Sequence, residues 1–240
     1  MSERFFSEIP LTAGQASTLS GAEARHAQQV MRLVVGDRVT LFDGSGDEFV
    51  AQICGAKRGE LALQVLERRA IDREAARRLT LGVALPKGER QRWLVEKAVE
   101  LGVARLAPLD VERGVAEATS AAVERMRRGV VEASKQCGRN RLMEIAAPQS
   151  LADFLAAAPT EGARLLAHPG DTAEHPRAGR ATEVWAACGP EGGFTEAEVA
   201  RALAAGWTRI SLGPRILRVE TAALALAALA IAGHWQLSDG

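Results

Sequence analysis

Apolar positions in the first 70 residues recur at two spacings. Across residues 23–34, Ala24, Ala27, Val30, Met31 and Val34 lie near helical spacing, which predicts a short helix. Residues 38–42 alternate instead, with Val39 and Leu41 opposite Arg38 and Thr40, and residues 49–54 and 61–66 repeat that period of two. Gly36-Asp37 and Asp43-Gly44-Ser45-Gly46-Asp47 carry the chemistry of tight turns. Closely spaced strands with short turns predict a small β-barrel over residues 1–70. Residues 67–78 are arginine-rich and lack an apolar face, so they read as a solvated connection.

From Leu79 the pattern changes. Apolar runs at 79–85, 104–109, 142–146, 163–167, 184–188 and 209–212 read as strands. Helical patterns lie between them at 89–101, 118–135 and 151–157. Strands separated by helices predict an α/β domain over residues 71–240, with a mostly parallel sheet covered on both faces. Residues 170–182 are polar, with prolines and glycines, and are expected to form a mobile loop.

Two glycine-rich loops stand out near the end. Gly189-Pro190-Glu191-Gly192-Gly193-Phe194 follows one predicted strand. Leu212-Gly213-Pro214-Arg215-Ile216-Leu217-Arg218-Val219-Glu220-Thr221 follows the next. Strand, glycine-rich turn and helix is the usual way an α/β fold walls a ligand crevice. The first loop leads into a capping-box pattern, Thr195 with Glu198. It is a poor phosphate cradle, because no Lys-Ser or Lys-Thr follows the glycines and Glu191 puts a negative charge in the turn. A plain strand-to-helix turn accounts for the glycines equally well. In the second loop, two cations flank two apolar side chains. Residues 222–232 then form a helix with no polar residue. A span needs about 20 apolar residues, so this helix is too short to cross a membrane. It is expected either in the core of a monomer or at a subunit interface.

Composition narrows the picture further. Thirty basic residues balance thirty acidic ones, but residues 54–144 hold nineteen Lys or Arg against thirteen Asp or Glu, a net of +6. A local basic region can bind a polyanion even when the total is zero. Cys54, Cys137 and Cys188 are far apart and form no CxxC pattern, which argues against a disulfide scaffold or a metal site. The first residues lack the apolar stretch of a signal peptide, so a soluble, cytoplasmic protein is expected.

The two loops carry a specific resemblance. Gly-Pro-Glu-Gly-Gly-Phe, followed by Leu-Gly-x-Arg-Ile-Leu-Arg-x-Glu-Thr-Ala, resembles the signature of the bacterial ribosomal RNA uridine-N3 methyltransferases. These are trefoil-knotted enzymes of the SPOUT class. Further matches are Arg4-Phe5-Phe6, His26, Arg32 and Phe42-Asp43-Gly44 in the first domain, where the family has a PUA-like barrel. Others are Lys87, Lys97, Glu112-Arg113 and Gln136-Cys137-Gly138-Arg139. Gly114 stands where the family usually has serine, so any role for that hydroxyl is in doubt.

The resemblance implies S-adenosylmethionine as cofactor, 16S ribosomal RNA of the small subunit as substrate, and a homodimer. It makes Arg4, His26, Arg32, Lys87, Lys97 and Arg139 candidate RNA contacts, although a lone helical histidine such as His26 is more often structural. His168-Pro169 ends a neighbouring strand and is expected as a third wall of the cofactor pocket. The first loop would add Gly189, Pro190, Glu191, Gly192 and Gly193. The second would add Leu212, Gly213, Arg215, Ile216, Leu217 and Thr221.

Methylating N3 of uracil requires an unpaired base and loss of its proton. Arg218 is the candidate to stabilise charge on the flanking carbonyl oxygens, with Arg215 or Arg113 as substitutes. Glu220 is a candidate base by residue type. A carboxylate at a helix N-terminus is favoured in any case. Two other readings stay open: ribose 2′-hydroxyl methylation on the same fold, and a non-catalytic RNA-binding assembly factor.

Overall fold

The computed structural model describes residues 3–116, 118–169 and 181–232. The chain forms two compact units. One is Met1–Glu74 with Ser134–Leu142; the other is Ala75–Ala133 with Met143–Gly240.

The first unit is a curled, mixed five-stranded sheet. Its strands are β1 (Arg4–Phe6), β2 (Ala16–Ser20), β3 (Arg38–Phe42), β4 (Glu48–Lys57) and β5 (Glu60–Arg69), in the order β1-β3-β4-β5-β2. β1 pairs parallel to β3, and the other pairs are antiparallel. The alternation does what it predicts. Val39, Leu41, Phe49, Ala51, Ile53, Leu61, Leu63 and Val65 all point into one core. Irregular register at Val50/Ala51 and Ile53/Gly55 bends β4 against β5, as bulges do.

The expected helix at 23–34 is only partly present. α1 covers Gly21–Arg25 and continues as a π-helical turn over His26–Val30. Ala24 and Ala27 are buried as expected, but Val30 and Val34 are 64% and 62% exposed. The wider turn shifts the face that the later residues present. Arg32 at φ 56° leaves the helical region soon after this turn, so the helix does not continue to residue 34.

Charged side chains also order this unit. Glu48 accepts from Arg4 at 2.8 Å and Arg73 at 3.2 Å, and Arg4 also donates to Asn140 Oδ1 at 2.7 Å. Arg139 is buried and meets Glu74 with two hydrogen bonds, of 2.8 and 2.6 Å. The segment 134–142 is thus bound into the first unit by charge-assisted contacts.

The second unit is built on a parallel sheet. Its strands are β6 (Arg78–Val83), β7 (Arg105–Asp110), β8 (Glu144–Ile145), β9 (Gln149–Ser150), β10 (Ala163–Ala167), β11 (Glu183–Cys188) and β12 (Thr208–Ile210). The order is β12-β10-β11-β6-β7-β8, with β9 beside β7, and all pairs are parallel. The helices are α2 (Glu89–Glu100), α3 (Ser120–Cys137), α4 (Leu151–Ala157), α5 (Glu196–Ala204) and α6 (Val219–Ala232). α6 packs on β6, β11 and α2. Elsewhere in the core, Phe154 stacks with Trp185 at 5.0 Å and Trp207 at 5.7 Å between ring centroids. The expected loop at 170–182 falls largely outside the described residues. Among the described residues, no helix is long and apolar enough to cross a membrane.

Candidate functional site

Three neighbouring parallel strands, β12, β10 and β11, end on the same side of the sheet. A loop leaves each, and together the three loops wall one pocket that opens to solvent. The sheet order is what brings the loops together, because β10 lies between the strands that feed the two signature loops. His168 N–H donates to the Ile210 carbonyl at 3.0 Å, tying the end of β10 to the end of β12.

The first signature loop turns tightly, with Gly193 N–H donating to the Pro190 carbonyl at 2.8 Å. Gly193 sits at φ 67°, a backbone state that favours glycine. At Gly189 a Cβ would come within 3.2 Å of the Phe194 ring, so the close return of the chain needs glycine there as well. Thr195 and Glu198 form the predicted capping box at the start of α5. Glu198 also accepts from the Glu112 N–H at 3.1 Å, which binds the loop after β7 to this helix. In the second loop Gly213 adopts φ 105°, and α6 begins at Val219.

Most of the expected cofactor residues converge. His168 and Pro169 line the pocket, as do Gly189, Pro190, Glu191 and Gly193. Leu212, Gly213, Arg215, Ile216 and Leu217 complete the wall from the second loop. Gly192 and Thr221 are not in the lining. The Gly192 carbonyl instead accepts from Arg113 Nη1 at 2.8 Å, so Arg113 buttresses the turn from outside. Ala167, Cys188, Val219 and Ala222 also line the pocket and were not among the expected residues. Each is a small or apolar residue inside a strand or helix, where residue type gives no hint of a ligand.

Of the three candidate catalytic residues, Arg218 is exposed beside the pocket and makes no ion pair among the described residues. Glu220 is buried in the first turn of α6, its side chain 7% exposed. Burial pushes the Cys188 thiol up to about 12, helped by the nearby Glu191 charge, so the pocket wall there is neutral. Burial holds His168 below its ordinary value, and the charges of Arg209 and Arg113 add to that against the pull of Glu196. The imidazole is therefore neutral at pH 7.

The expected RNA contacts divide. Lys87 is exposed in the second unit, and His26 and Arg32 are exposed in the first. Lys97 lies between Glu96 and Glu100, each at 2.8 Å. Arg4 and Arg139 are held in the internal ion pairs described above, with side chains 16% and 5% exposed. Their charges serve the first unit's own structure.

A family model described as an RNA methyltransferase domain matches residues 73–231, and one described as an RNA methyltransferase PUA domain matches residues 19–66. These two define the class, an RNA methyltransferase with a PUA domain before its parallel sheet. Ribosomal RNA small subunit methyltransferase E of a Synechocystis species is 35% identical, over 85% of this chain and 69% of that one. The protein of the same name from Mycobacterium tuberculosis is 30% identical over 98% and 94%. The Legionella pneumophila methyltransferase solved with its bound cofactor, S-adenosylmethionine, superposes with a TM-score of 0.89 at 30% identity, covering 97% of this chain and 98% of that one. The Neisseria gonorrhoeae ribosomal RNA small subunit methyltransferase E, bound to the same cofactor, gives 0.85 at 30% identity over 95% and 96%. The chain belongs to the ribosomal RNA small subunit methyltransferase E family.

Proposed function

We propose that this protein methylates N3 of a uridine in 16S ribosomal RNA, using S-adenosylmethionine, in the cytoplasm. The observation that carries the reading is the convergence of both signature loops and His168 on one pocket at the ends of three adjacent parallel strands. The pocket suits the cofactor. Glycine backbone lies beside apolar surface from Leu212, Leu217, Val219 and Ala222, and burial keeps the Cys188 thiol protonated, so the wall there carries no charge. Bound there, S-adenosylmethionine supplies a methyl group activated by its sulfonium.

The protein's own work is alignment and electrostatics. Gly193 and Gly213 adopt positive φ and Gly189 leaves room for the Phe194 ring, so both turns stay tight beside the pocket. Arg218, exposed at the pocket's edge, is the group we assign to stabilise negative charge on the uracil carbonyl oxygens once N3 has lost its proton. Arg113 holds the turn through the Gly192 carbonyl and acts at one remove. Lys87, His26 and Arg32 are the exposed groups available to RNA.

The apolar α6 supports a homodimer. Its inner face, with Ala223, Leu226, Ala227 and Ala230, is buried on the sheet, whereas Leu229 on its outer side is 37% exposed. Trp93, on α2 beside it, is 45% exposed. Two protomers meeting there would cover both.

The test is transfer of labelled methyl from S-adenosylmethionine into small ribosomal subunits from cells lacking this gene, followed by nucleoside mass analysis. N3-methyluridine is the expected product. A ribose-methylated nucleoside would overturn the acceptor, and no incorporation into subunits or bare RNA would overturn the enzyme reading.

A further inference from the structure

Arg90 stands in the first turn of α2, and its guanidinium meets two carboxylates distant in sequence. Its Nη1 donates to Glu191 Oε1 at 3.1 Å and lies 3.9 Å from Glu220 Oε2. Glu191 belongs to the glycine-rich turn and lines the pocket. Glu220 opens α6, and its neighbours Val219 and Ala222 line the pocket too. One side chain therefore joins three separate elements at the rim of the cofactor site.

Glu220 explains why the contact matters. Its Oε2 is buried and has no hydrogen-bond partner. A buried carboxylate without compensation carries a heavy desolvation cost. The helix N-terminus offsets part of it, and Arg90 supplies the full charge within 4 Å. The contact with Glu191 is more exposed, with side chains 43% and 37% accessible. As an isolated surface pair it would contribute little. Its effect comes from sharing a guanidinium already held by Glu220. The mount is rigid, because Leu94, Val95, Ala98 and Val99 anchor α2 in the core and α2 packs directly on α6.

We propose that Arg90 is a positioning residue for the cofactor pocket: by holding Glu191 and Glu220 together it fixes the spacing between the glycine-rich turn and the first turn of α6, and so sets the affinity for S-adenosylmethionine. The inference rests on the assignment of this pocket to that cofactor. Arg90 acts through the two glutamates and not on the reacting atoms. Its loss therefore belongs in binding and KM, with kcat largely spared.

Calorimetric titration of S-adenosylmethionine into the full-length protein, with steady-state kinetics alongside, tests this on R90A, R90K, E191A and the double variant R90A/E191A. R90A is expected to weaken cofactor binding about tenfold, with a matching rise in its KM and kcat within about twofold, the size of one coupled charged contact. R90K, which keeps the charge on a compact ammonium without the guanidinium fork, should recover part of the loss. The losses in the double variant should be less than additive, because the two changes share one contact. If R90A does not fold, Arg90→Gln repeats the measurement. Unchanged affinity without the arginine, a loss confined to kcat, or additive losses in the double variant would overturn the proposal. Absence of binding by the wild type would remove the cofactor assignment itself, and the role of Arg90 with it.

Discussion

Arg215 and Arg218 are three residues apart on one loop, yet they sit differently. Arg215 lines the pocket, whereas Arg218 stands exposed outside the lining. That difference sharpens the expectation for Arg218→Ala. Calorimetry should find cofactor affinity within about twofold of wild type, while turnover falls about 10²- to 10³-fold, as when one donor to a developing oxyanion is removed. Parallel loss of both would make Arg218 a binding residue. Both arginines were singled out in the sequence by the motif they share, which is local. Cys188 was not. Its part in the pocket wall follows from burial at the end of β11, and nothing about a lone cysteine announces that.

Local elements follow local rules, and long-range contacts revise them. The capping box at Thr195 and Glu198 formed as predicted because it closes within four residues. The second use of Glu198, accepting from Glu112, spans 86 residues and has no local signal. The same limit explains the shortened helix after Gly21, where helical spacing in the sequence gave way to a π-helical turn and a positive φ at Arg32.

Gly82 shows how tightly one strand is packed. A Cβ there would meet the buried Phe154 ring at 2.7 Å and Leu109 at 3.0 Å. Gly82→Ala should therefore destabilise the protein by about 1–3 kcal/mol, the usual cost of overpacking. Differential scanning calorimetry should record this as a melting temperature lower by several degrees, and an unchanged one would show that the ring can move aside.

The two units of the molecule differ in what holds them. The second relies on its parallel sheet and aromatic core, the first on a smaller core strengthened by charge. Burial alone would raise the Glu48 carboxyl above its ordinary 4.5, but the hydrogen bonds and charges of Arg4 and Arg73 outweigh burial and hold it lower. A carboxyl depressed in the folded state stabilises the fold above its ordinary value, and that contribution is lost as pH falls through the depressed one. Amide exchange in β4 should therefore lose protection as pH drops below about 4.5, and Glu48→Gln should flatten the dependence. Equal profiles would remove the ion-pair explanation. For the whole assembly, sedimentation at micromolar concentration should give twice the mass of one chain, and a monomer mass would mean that the outer face of α6 stays open to solvent.

Periodicity and turn chemistry specified most strands and helices and both glycine-rich loops, because these depend on backbone preference and on neighbours within a turn or two, but they gave no sign of the short strands β1, β2 and β9. Motif spacing then pointed to the family. Packing settled the rest. It placed β10 between the two loop-bearing strands, so that His168 joins them in one pocket. It drew Arg4 and Arg139, basic residues that looked free for RNA, into ion pairs with Glu48 and Glu74. It also brought Arg90 to Glu191 and Glu220, 101 residues from the first of these. A charge in a sequence does not reveal its partner, because the partner is chosen by how distant elements pack and by the need to compensate every buried charge.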